Sequence, residues 1–197
     1  MRLVLVRHGE TEGQSSIRYH GRTDVPLSAQ GRAQMERVRM AMNGETFAAV
    51  YASELSRAVE AAMIVGATTQ VSRVAGFNEI DFGDWEGLTA DEIQTRDPHG
   101  YACWMGNRGD FTYPRGESTA ALRARVVRAL RDVLVRAPSG TLLFVVHKGV
   151  IRSIVTELLR LDDTQRHGIT VALASIHIVR QDNGAWDAEV LDRIDHL

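Results

Sequence analysis

The strongest pattern in the chain is a pair of short apolar runs, each followed at once by polar side chains and a glycine. Leu3–Val6 precedes Arg7-His8-Gly9, and Leu142–Val146 precedes His147-Lys148-Gly149. Runs that are apolar at every position are typical of parallel strands buried on both faces. Because ligands of open α/β sheets bind at the carboxyl ends of the strands, the pattern predicts that His8 and His147 face one pocket.

Apolar residues recur at helical spacing in four segments. Three of these predicted helices begin at a serine that can act as the N-cap, Ser28, Ser53 or Ser118, and the fourth covers about residues 150–160. The side chains predicted to be buried are Met35, Val38 and Met42, then Leu55, Val59, Ala62 and Met63, then Leu122, Val126, Leu130 and Val133, and finally Ile151, Ile154, Val155 and Leu158.

Four weaker segments complete the predicted sheet. They are residues 48–52, 71–75, 171–179 and 186–191, and the last two flank the hairpin turn Asp182-Asn183-Gly184. Alternating strands and helices indicate an α/β fold, a mostly parallel sheet with helices on both faces and an antiparallel edge strand. The apolar segment 171–179 is also a candidate pairing edge for a homodimer.

Residues 76–117 are predicted to be irregular, with short helices near 89–96 and 100–106. Such long irregular segments often form lids, so we predict a lid at about 80–117, over the carboxyl ends of the strands. Seven of the twelve aromatic residues lie between positions 77 and 113. They either line a site for a ring-bearing leaving group or pin the lid to the core, and the second interpretation is favoured. Arg22, Arg108 and Arg115 are either contacts for a second acidic group or surface residues.

Composition narrows the class of protein. A chain of 197 residues, 44% hydrophobic and 24% charged, is predicted to form one soluble domain over residues 1–197. The formal net charge of −2 does not favour nucleic acid or an anionic membrane as a partner. The single cysteine, Cys103, the absence of a signal-peptide pattern and the absence of a membrane-spanning run predict a cytoplasmic protein.

The residues near the two predicted strand ends favour chemistry on a phosphoryl group. Arg57 would lie in the first turn of a helix, where a cation opposes the helix dipole by about 0.3–1 kcal/mol unless an anion binds there. Gly9 would let a phosphate approach the backbone, and a neutral imidazole at His8 would be a nucleophile.

A carboxyl group among apolar neighbours suits a general acid because it tends to hold its proton. Glu79 fits that description, but Glu10, Asp81, Asp84 and Glu86 are rivals. Metal-ligand spacings, paired cysteines and glycine-rich nucleotide loops are missing from the sequence, so we predict neither a metal nor a cofactor.

Six ordered motifs resemble those of the histidine phosphatase superfamily, in its phosphoglycerate-mutase-like branch. They are Arg7-His8-Gly9-Glu10-Thr11, the segment from Gly21 to Ser28, Ser53-Glu54-Leu55-Ser56-Arg57-Ala58, the segment from Glu79 to Gly87, Gly116-Glu117-Ser118, and Val146-His147-Lys148-Gly149-Val150-Ile151-Arg152.

The resemblance implies roles for individual residues. His8 would become a phosphohistidine, and Glu79 would protonate the leaving oxygen and then activate water. The residues implied to hold the phosphate are Arg7, Gly9, Gln14, Gly21, Arg57, His147 and Lys148.

Two of these positions depart from the family pattern. Gln14 stands where an asparagine is frequent. Lys148 stands where glycine or serine is usual, and it either adds a cation near the phosphate or points to solvent.

The implied function is metal-independent hydrolysis of a small phosphomonoester through a phosphohistidine. Short members of the family with this pattern resemble α-ribazole phosphatases and broad-specificity phosphatases. The alternatives are a cofactor-dependent phosphoglycerate mutase, whose family members tend to be longer, and a phosphate-binding or signalling domain without turnover.

Overall fold

The computed structural model describes residues 1–68, 70–106 and 110–197. Arg108, one of the arginines predicted to meet a second acidic group, lies outside the described residues. The strands are β1 (Arg2–Arg7), β2 (Phe47–Ala52), β3 (Ser72–Arg73), β4 (Thr141–Val146), β5 (Ile176–Asp182) and β6 (Ala185–Arg193). The helices are α1 (Ala29–Ala41), α2 (Ser56–Gly66), α3 (Ala90–Arg96), α4 (Pro98–Gly106), α5 (Thr119–Arg136), α6 (Lys148–Leu159) and α7 (Asp163–Gly168).

The six strands form one sheet in the order β3-β2-β4-β1-β5-β6. The strands β3, β2, β4 and β1 run parallel, whereas β5 pairs antiparallel with both β1 and β6. Asn183 and Gly184, in the hairpin turn between β5 and β6, have φ values of 48° and 83°, as a tight hairpin turn requires. The predicted α/β sheet with an antiparallel edge is therefore confirmed.

The two apolar runs are the centre of this sheet, and their side chains alternate between two cores. Leu3 and Leu5 belong to the core beneath α5 and α6, whereas Val4 and Val6 belong to the core beneath α1 and α2. All four side chains are fully buried. This is why β1 is apolar at every position from Leu3 to Val6, and why polar residues occur only at the two ends of the strand.

Several predicted boundaries are wrong for identifiable reasons. The predicted strand 171–179 begins only at Ile176, and the residues before it form a turn in which Ala174 has a φ of 57°. That strand is also not a free edge, because β1 and β6 cover its two sides. Met63 is 40% exposed although it was expected to be buried. The helix α7 was missed, since its six residues include only polar side chains and a glycine.

The aromatic residues of the predicted lid pack mainly on one another. Trp85 and Tyr113 are buried, with ring centroids 5.4 Å apart, and the ring of Phe82 lies 4.9 Å from that of Tyr113. Trp104 contacts Trp85 at 6.0 Å. Trp85 and Tyr113 also belong to the core beneath α5 and α6, so they attach the segment to the core, as the favoured interpretation predicted. Within the described ranges, no helix is both long and apolar enough to cross a membrane.

Candidate active site

His8 follows β1 directly, and its surroundings fix both its position and its tautomer. Its backbone N–H donates to the carbonyl of Val146 at 3.1 Å, which ties the end of β1 to the end of β4. The side-chain Nδ1 lies 2.7 Å from the carbonyl oxygen of Gly9. A carbonyl only accepts hydrogen bonds, so Nδ1 carries the proton and Nε2 keeps its lone pair. His8 therefore presents a nucleophilic nitrogen.

His147 follows β4 and faces His8, with their ring centroids 5.1 Å apart. The hydroxyl of Ser53 lies 2.7 Å from Nε2 of His147 and accepts a hydrogen bond from the backbone N–H of Leu55. Ser53 was predicted to cap α2, but the N-cap is Leu55 and Ser53 instead orients His147. Since the Ser53 proton is free to reach Nε2, this arrangement favours a proton on Nδ1 of His147. Nδ1 is buried and has no hydrogen-bond partner in the described ranges.

Two arginines lie beside the histidines and donate to neutral acceptors. Arg57 is fully buried, and its guanidinium donates to the carbonyls of Gly21 at 2.7 Å and Thr23 at 2.8 Å. Arg7 donates to the carbonyl of Val171 at 2.9 Å. In the part of the chain that the structure describes, neither guanidinium forms an ion pair with a carboxylate. Burying a cation without a counter-ion is unfavourable, so the site is built to receive an anion.

Burial lowers the pKa of all four of these side chains. Desolvation lowers the pKa of Arg7 to about 10 and also lowers the pKa of Arg57. Desolvation, together with the positive charge of Arg57 as the second cause, holds the pKa values of His8 and His147 well below 6.5. Both imidazoles are therefore neutral at pH 7, beside two cations.

These shifts predict how stability depends on pH. Below about pH 6.5 the two histidines are protonated in the unfolded chain but stay neutral in the folded protein. The unfolded state then binds more protons, so the free energy of unfolding should fall as the pH drops below 6.5. We expect the Cε1 proton resonances of His8 and His147 to titrate well below pH 6.5 in the folded protein, with the urea-unfolded chain as the reference. Midpoints at or above 6.5 would contradict the assignment of two neutral imidazoles.

Glu79 is buried at the point where the lid segment begins, and its carboxylate is held from two sides. Oε1 accepts from the backbone N–H of Ile80, and Oε2 accepts from the backbone N–H of Gly149, both at 3.0 Å. A Cβ at position 149 would lie 2.6 Å from Oε1 of Glu79, which explains the glycine there. These two hydrogen bonds fix the direction of the carboxylate, while apolar side chains such as Ile80, Phe82 and Leu122 line a cavity beside it, as expected from the sequence.

Arg125 and Glu117 position the Glu79 segment, and analysis of the sequence did not assign them this role. Arg125 forms a double hydrogen bond with the carboxylate of Glu117, at 2.7 and 2.8 Å. The same guanidinium donates to the carbonyls of Gly76, Asn78 and Glu79. The usable signal was the Gly116-Glu117-Ser118 motif, since a half-buried glutamate there needs a cationic partner.

Glu86 holds the loop that presents carbonyls to Arg57. Its carboxylate accepts from the backbone N–H groups of Gly21, Arg22, Thr23 and Phe82, and from the Thr23 hydroxyl at 2.6 Å. The loop at 20–23 therefore lies between Glu86 and Arg57. Its N–H groups donate to the Glu86 carboxylate, and its carbonyls accept from the Arg57 guanidinium. Glu86 is a positioning residue, not the solvated rival of Glu79 that the sequence left open.

We predict that Glu86→Gln destabilises the protein by about 1–3 kcal/mol, because an amide replaces one acceptor oxygen with a second donor among N–H groups. The shifted loop should also weaken the binding of inorganic phosphate. Urea unfolding and calorimetric titration measure the two effects. Glu36→Gln is the matched control, since its exposed ion pair with Arg39 is worth about 0.3–0.5 kcal/mol at most. Equal stabilities of the two variants would contradict this role for Glu86.

Four of the nine predicted site residues line one cavity of about 820 Å³, whereas Gly9, Gln14, Gly21, Arg57 and His147 are not among its lining residues. Its walls include Arg7, His8, Glu79 and Lys148. Gln14 is exposed in a turn with a φ of 60° and does not line the cavity, whereas Ser15 and Ser16 do. Gly9 and Gly21 serve as backbone acceptors for His8 and Arg57. A Cβ at Gly9 would lie 2.6 Å from the carbonyl oxygen of Gly31, so that glycine is needed for packing against α1.

Lys148 lines the cavity although much of its side chain is exposed. Desolvation near the cavity, followed by the positive charges of Arg152 and Arg7, lowers its pKa. Of the two options left open by the sequence, a cation near the site is the one that the structure favours.

The other rival carboxylates have separate partners. Glu10 accepts from the backbone N–H groups of Thr11 and Ser16, Asp81 accepts from that of Gly83, and Asp84 pairs with Arg115. Within the described residues, no group of three or more His, Cys, Asp or Glu side chains is arranged to hold a metal ion.

Comparison with known proteins adds independent observations. The family model of the histidine phosphatase superfamily (branch 1) matches residues 3–193. The adenosylcobalamin/alpha-ribazole phosphatase of Salmonella typhimurium is 31% identical over 190 residues, which cover 95% of this chain and 89% of that protein. A metal-independent phosphoserine phosphatase of Arabidopsis thaliana is 28% identical over 200 residues, covering 99% and 82%. The crystal structure of the alpha-ribazole phosphatase from Shigella flexneri superimposes with a TM-score of 0.87 and 26% identity, covering 98% and 96%.

Proposed function

Because the chain belongs to branch 1 of the histidine phosphatase superfamily, we propose that it hydrolyses a small phosphomonoester through a phosphohistidine at His8, without a metal ion. The observation that carries this proposal is the neutral His8 imidazole with a free Nε2, next to the buried Arg57 and the half-buried Arg7, neither of which forms an ion pair among the described residues. A phosphoryl group supplies the missing negative charge and the electrophile at the same place.

In the first step, Nε2 of His8 attacks phosphorus and the bond from phosphorus to the ester oxygen breaks. Glu79 donates its proton to the departing oxygen, which leaves as an alcohol. Arg7, Arg57 and the Nδ1–H of His147 donate to the equatorial phosphoryl oxygens, where negative charge is concentrated. The hydrogen bond from Nδ1 of His8 to Gly9 stabilises the positive charge that develops on the imidazole.

In the second step, water attacks the phosphohistidine and transfers a proton to the Glu79 carboxylate. The bond between nitrogen and phosphorus breaks, inorganic phosphate leaves, and His8 and Glu79 return to their starting protonation states. The two backbone N–H groups that hold Glu79 keep its carboxylate aimed at the same place in both steps.

The relatives support phosphatase chemistry but differ in the substrates that their names carry, ribazole phosphate in one and phosphoserine in another. The names of the relatives therefore do not identify the leaving group of this chain's substrate. The residues that line the cavity are the remaining source of information about it.

The proposal is tested with protein dialysed against EDTA and incubated with p-nitrophenyl phosphate and with aliphatic phosphomonoesters. We expect phosphate release that survives the chelator. Interconversion of 2- and 3-phosphoglycerate faster than phosphate release would favour a mutase instead. Binding of phosphate without turnover of any ester would favour a binding domain.

A further inference from the structure

A second cavity of about 420 Å³ adjoins the site and shares Glu79, Phe82 and Lys148 with it. One wall of this second cavity is apolar and aromatic, with Phe82, Phe111 and Tyr113 among its side chains. The same cavity is also lined by Lys148 and Arg152 from α6, and by Arg166 from α7. A group leaving from the Glu79 side of the phosphate would enter this cavity, because Glu79 lines both.

The cations of the second cavity have little internal compensation. Arg152 donates through Nε to the carbonyl of Ile169 at 2.9 Å, and among the described residues neither Arg152 nor Lys148 has a carboxylate within 4.0 Å. Among the described residues, Arg166 forms an ion pair with Asp163, whose side chain is 64% exposed. Desolvation lowers the pKa of Arg152 against the opposing effect of the Glu79 carboxylate, and the nearby charge of Arg166 acts in the same direction as desolvation.

Glu79 is the carboxylate that lines this cavity, and its negative charge offsets part of the positive charge of Lys148 and Arg152. Both oxygens of Glu79 accept hydrogen bonds from backbone N–H groups, those of Ile80 and Gly149. Among the described lining residues, three cations therefore share the cavity with a single carboxylate, Glu79, at its junction with the first cavity. A neutral leaving group would leave the remaining positive charge unmatched.

The arginines that the sequence suggested for a second acidic group do not reach this place. Arg22 lies 3.6 Å from Asp81 and its side chain is 68% exposed. Arg115 pairs with Asp84 and its side chain is 84% exposed. Neither of them lines the two cavities.

We propose that the second cavity binds a leaving group with an acid group of its own, which Lys148, Arg152 and Arg166 recognise while the aromatic wall packs against its apolar part. This inference rests on the proposed hydrolysis at His8. It assigns the substrate class as a phosphomonoester with a second anionic group, a carboxylate or another phosphate.

The test compares matched aryl esters: 4-(carboxymethyl)phenyl phosphate, 4-ethylphenyl phosphate and 1,4-phenylene bisphosphate. The first two differ in charge but have leaving groups of similar basicity, and the third separates a carboxylate from a second phosphate. We expect kcat/KM for at least one of the two esters with a second anionic group to exceed that of the ethyl ester by about tenfold, as a charge-assisted contact allows.

The variants Lys148→Ala and Arg152→Gln should each reduce that preference several-fold. The preference is a ratio of kcat/KM values for two esters. Any loss of kcat/KM caused at the phosphate site affects all three esters equally and cancels in this ratio. Arg22→Ala is the matched control, an exposed cation outside the second cavity, and should keep the full preference.

The inference would be overturned if wild type hydrolyses all three esters with equal kcat/KM, or if the preference survives in both variants. The proposed hydrolysis would stand in either case. If no ester is hydrolysed, the proposed function fails, and calorimetry with the corresponding phosphonates still measures the preference. Equal affinities of wild type for the charged and neutral phosphonates would then overturn the inference as well.

Discussion

Replacing His8 with alanine should abolish phosphate release from every ester, with a loss in kcat of about 10⁴-fold or more. The reason is geometric. No other described side chain places an unprotonated nitrogen with a fixed tautomer at the end of β1, beside Arg7 and Arg57. His147 cannot substitute, because its Nε2 is held by Ser53 and the arrangement favours a proton on Nδ1.

The measurement is steady-state release of phosphate from p-nitrophenyl phosphate, with circular dichroism to show that the variant is folded. His99→Ala is the control, since His99 is exposed on α4 and outside the cavity, and it should retain wild-type activity. A His8→Ala variant that keeps more than a tenth of the wild-type rate would mean that another group attacks phosphorus.

Glu79→Gln should have an effect that depends on the leaving group. For an aliphatic ester, whose alkoxide must be protonated as it leaves, kcat should fall by about 10²–10⁴-fold. For p-nitrophenyl phosphate the first step needs little help from an acid, so p-nitrophenol should appear in a burst. Slow turnover should follow the burst, because the glutamine cannot act as the base in the second step.

Stopped-flow absorbance of p-nitrophenol measures the burst, and a phosphate assay on an aliphatic ester measures the fall in kcat. Asp84→Asn is the control among the rival carboxylates, since Asp84 pairs with Arg115 on the surface. Its activity toward both esters should stay near that of the wild type. Equal losses for good and poor leaving groups, without a burst, would show that Glu79 does not move the proton.

The elements that carry the nucleophile were predictable because their positions follow from local pattern. An apolar run that ends in Arg7 and His8 must leave the sheet where its side chains turn polar, and a second run that ends at His147 does the same. Parallel strands bring these ends together whatever the loops between them do. Ser28 and Ser118 cap α1 and α5 as predicted, since N-caps are set by residues within one helical turn.

The choice between Glu79 and its rivals could not be made from local pattern. The path of the loops decides it, because three of the four backbone N–H groups that donate to Glu86 belong to residues about 65 positions away in the chain. The partner of Ser53 is equally distant, 94 positions along the chain at His147. For the same reason, the hydrogen bonds of Arg125 to Glu117 and to the Glu79 segment could not be predicted from the sequence. The exposed position of Gln14 could not be predicted either. The homodimer prediction stays untested, although its proposed edge at 171–179 is covered.

The most direct test of a phosphohistidine mechanism is to isolate the intermediate. Glu79→Gln is mixed with p-nitrophenyl phosphate, quenched in alkali within the burst, digested and examined by mass spectrometry. We expect one phosphoryl group on the peptide that contains His8, stable in alkali and lost in acid, and absent when His8 is also replaced with alanine. A burst of p-nitrophenol with no phosphorylated peptide, or with the phosphoryl group on another residue, would contradict this mechanism.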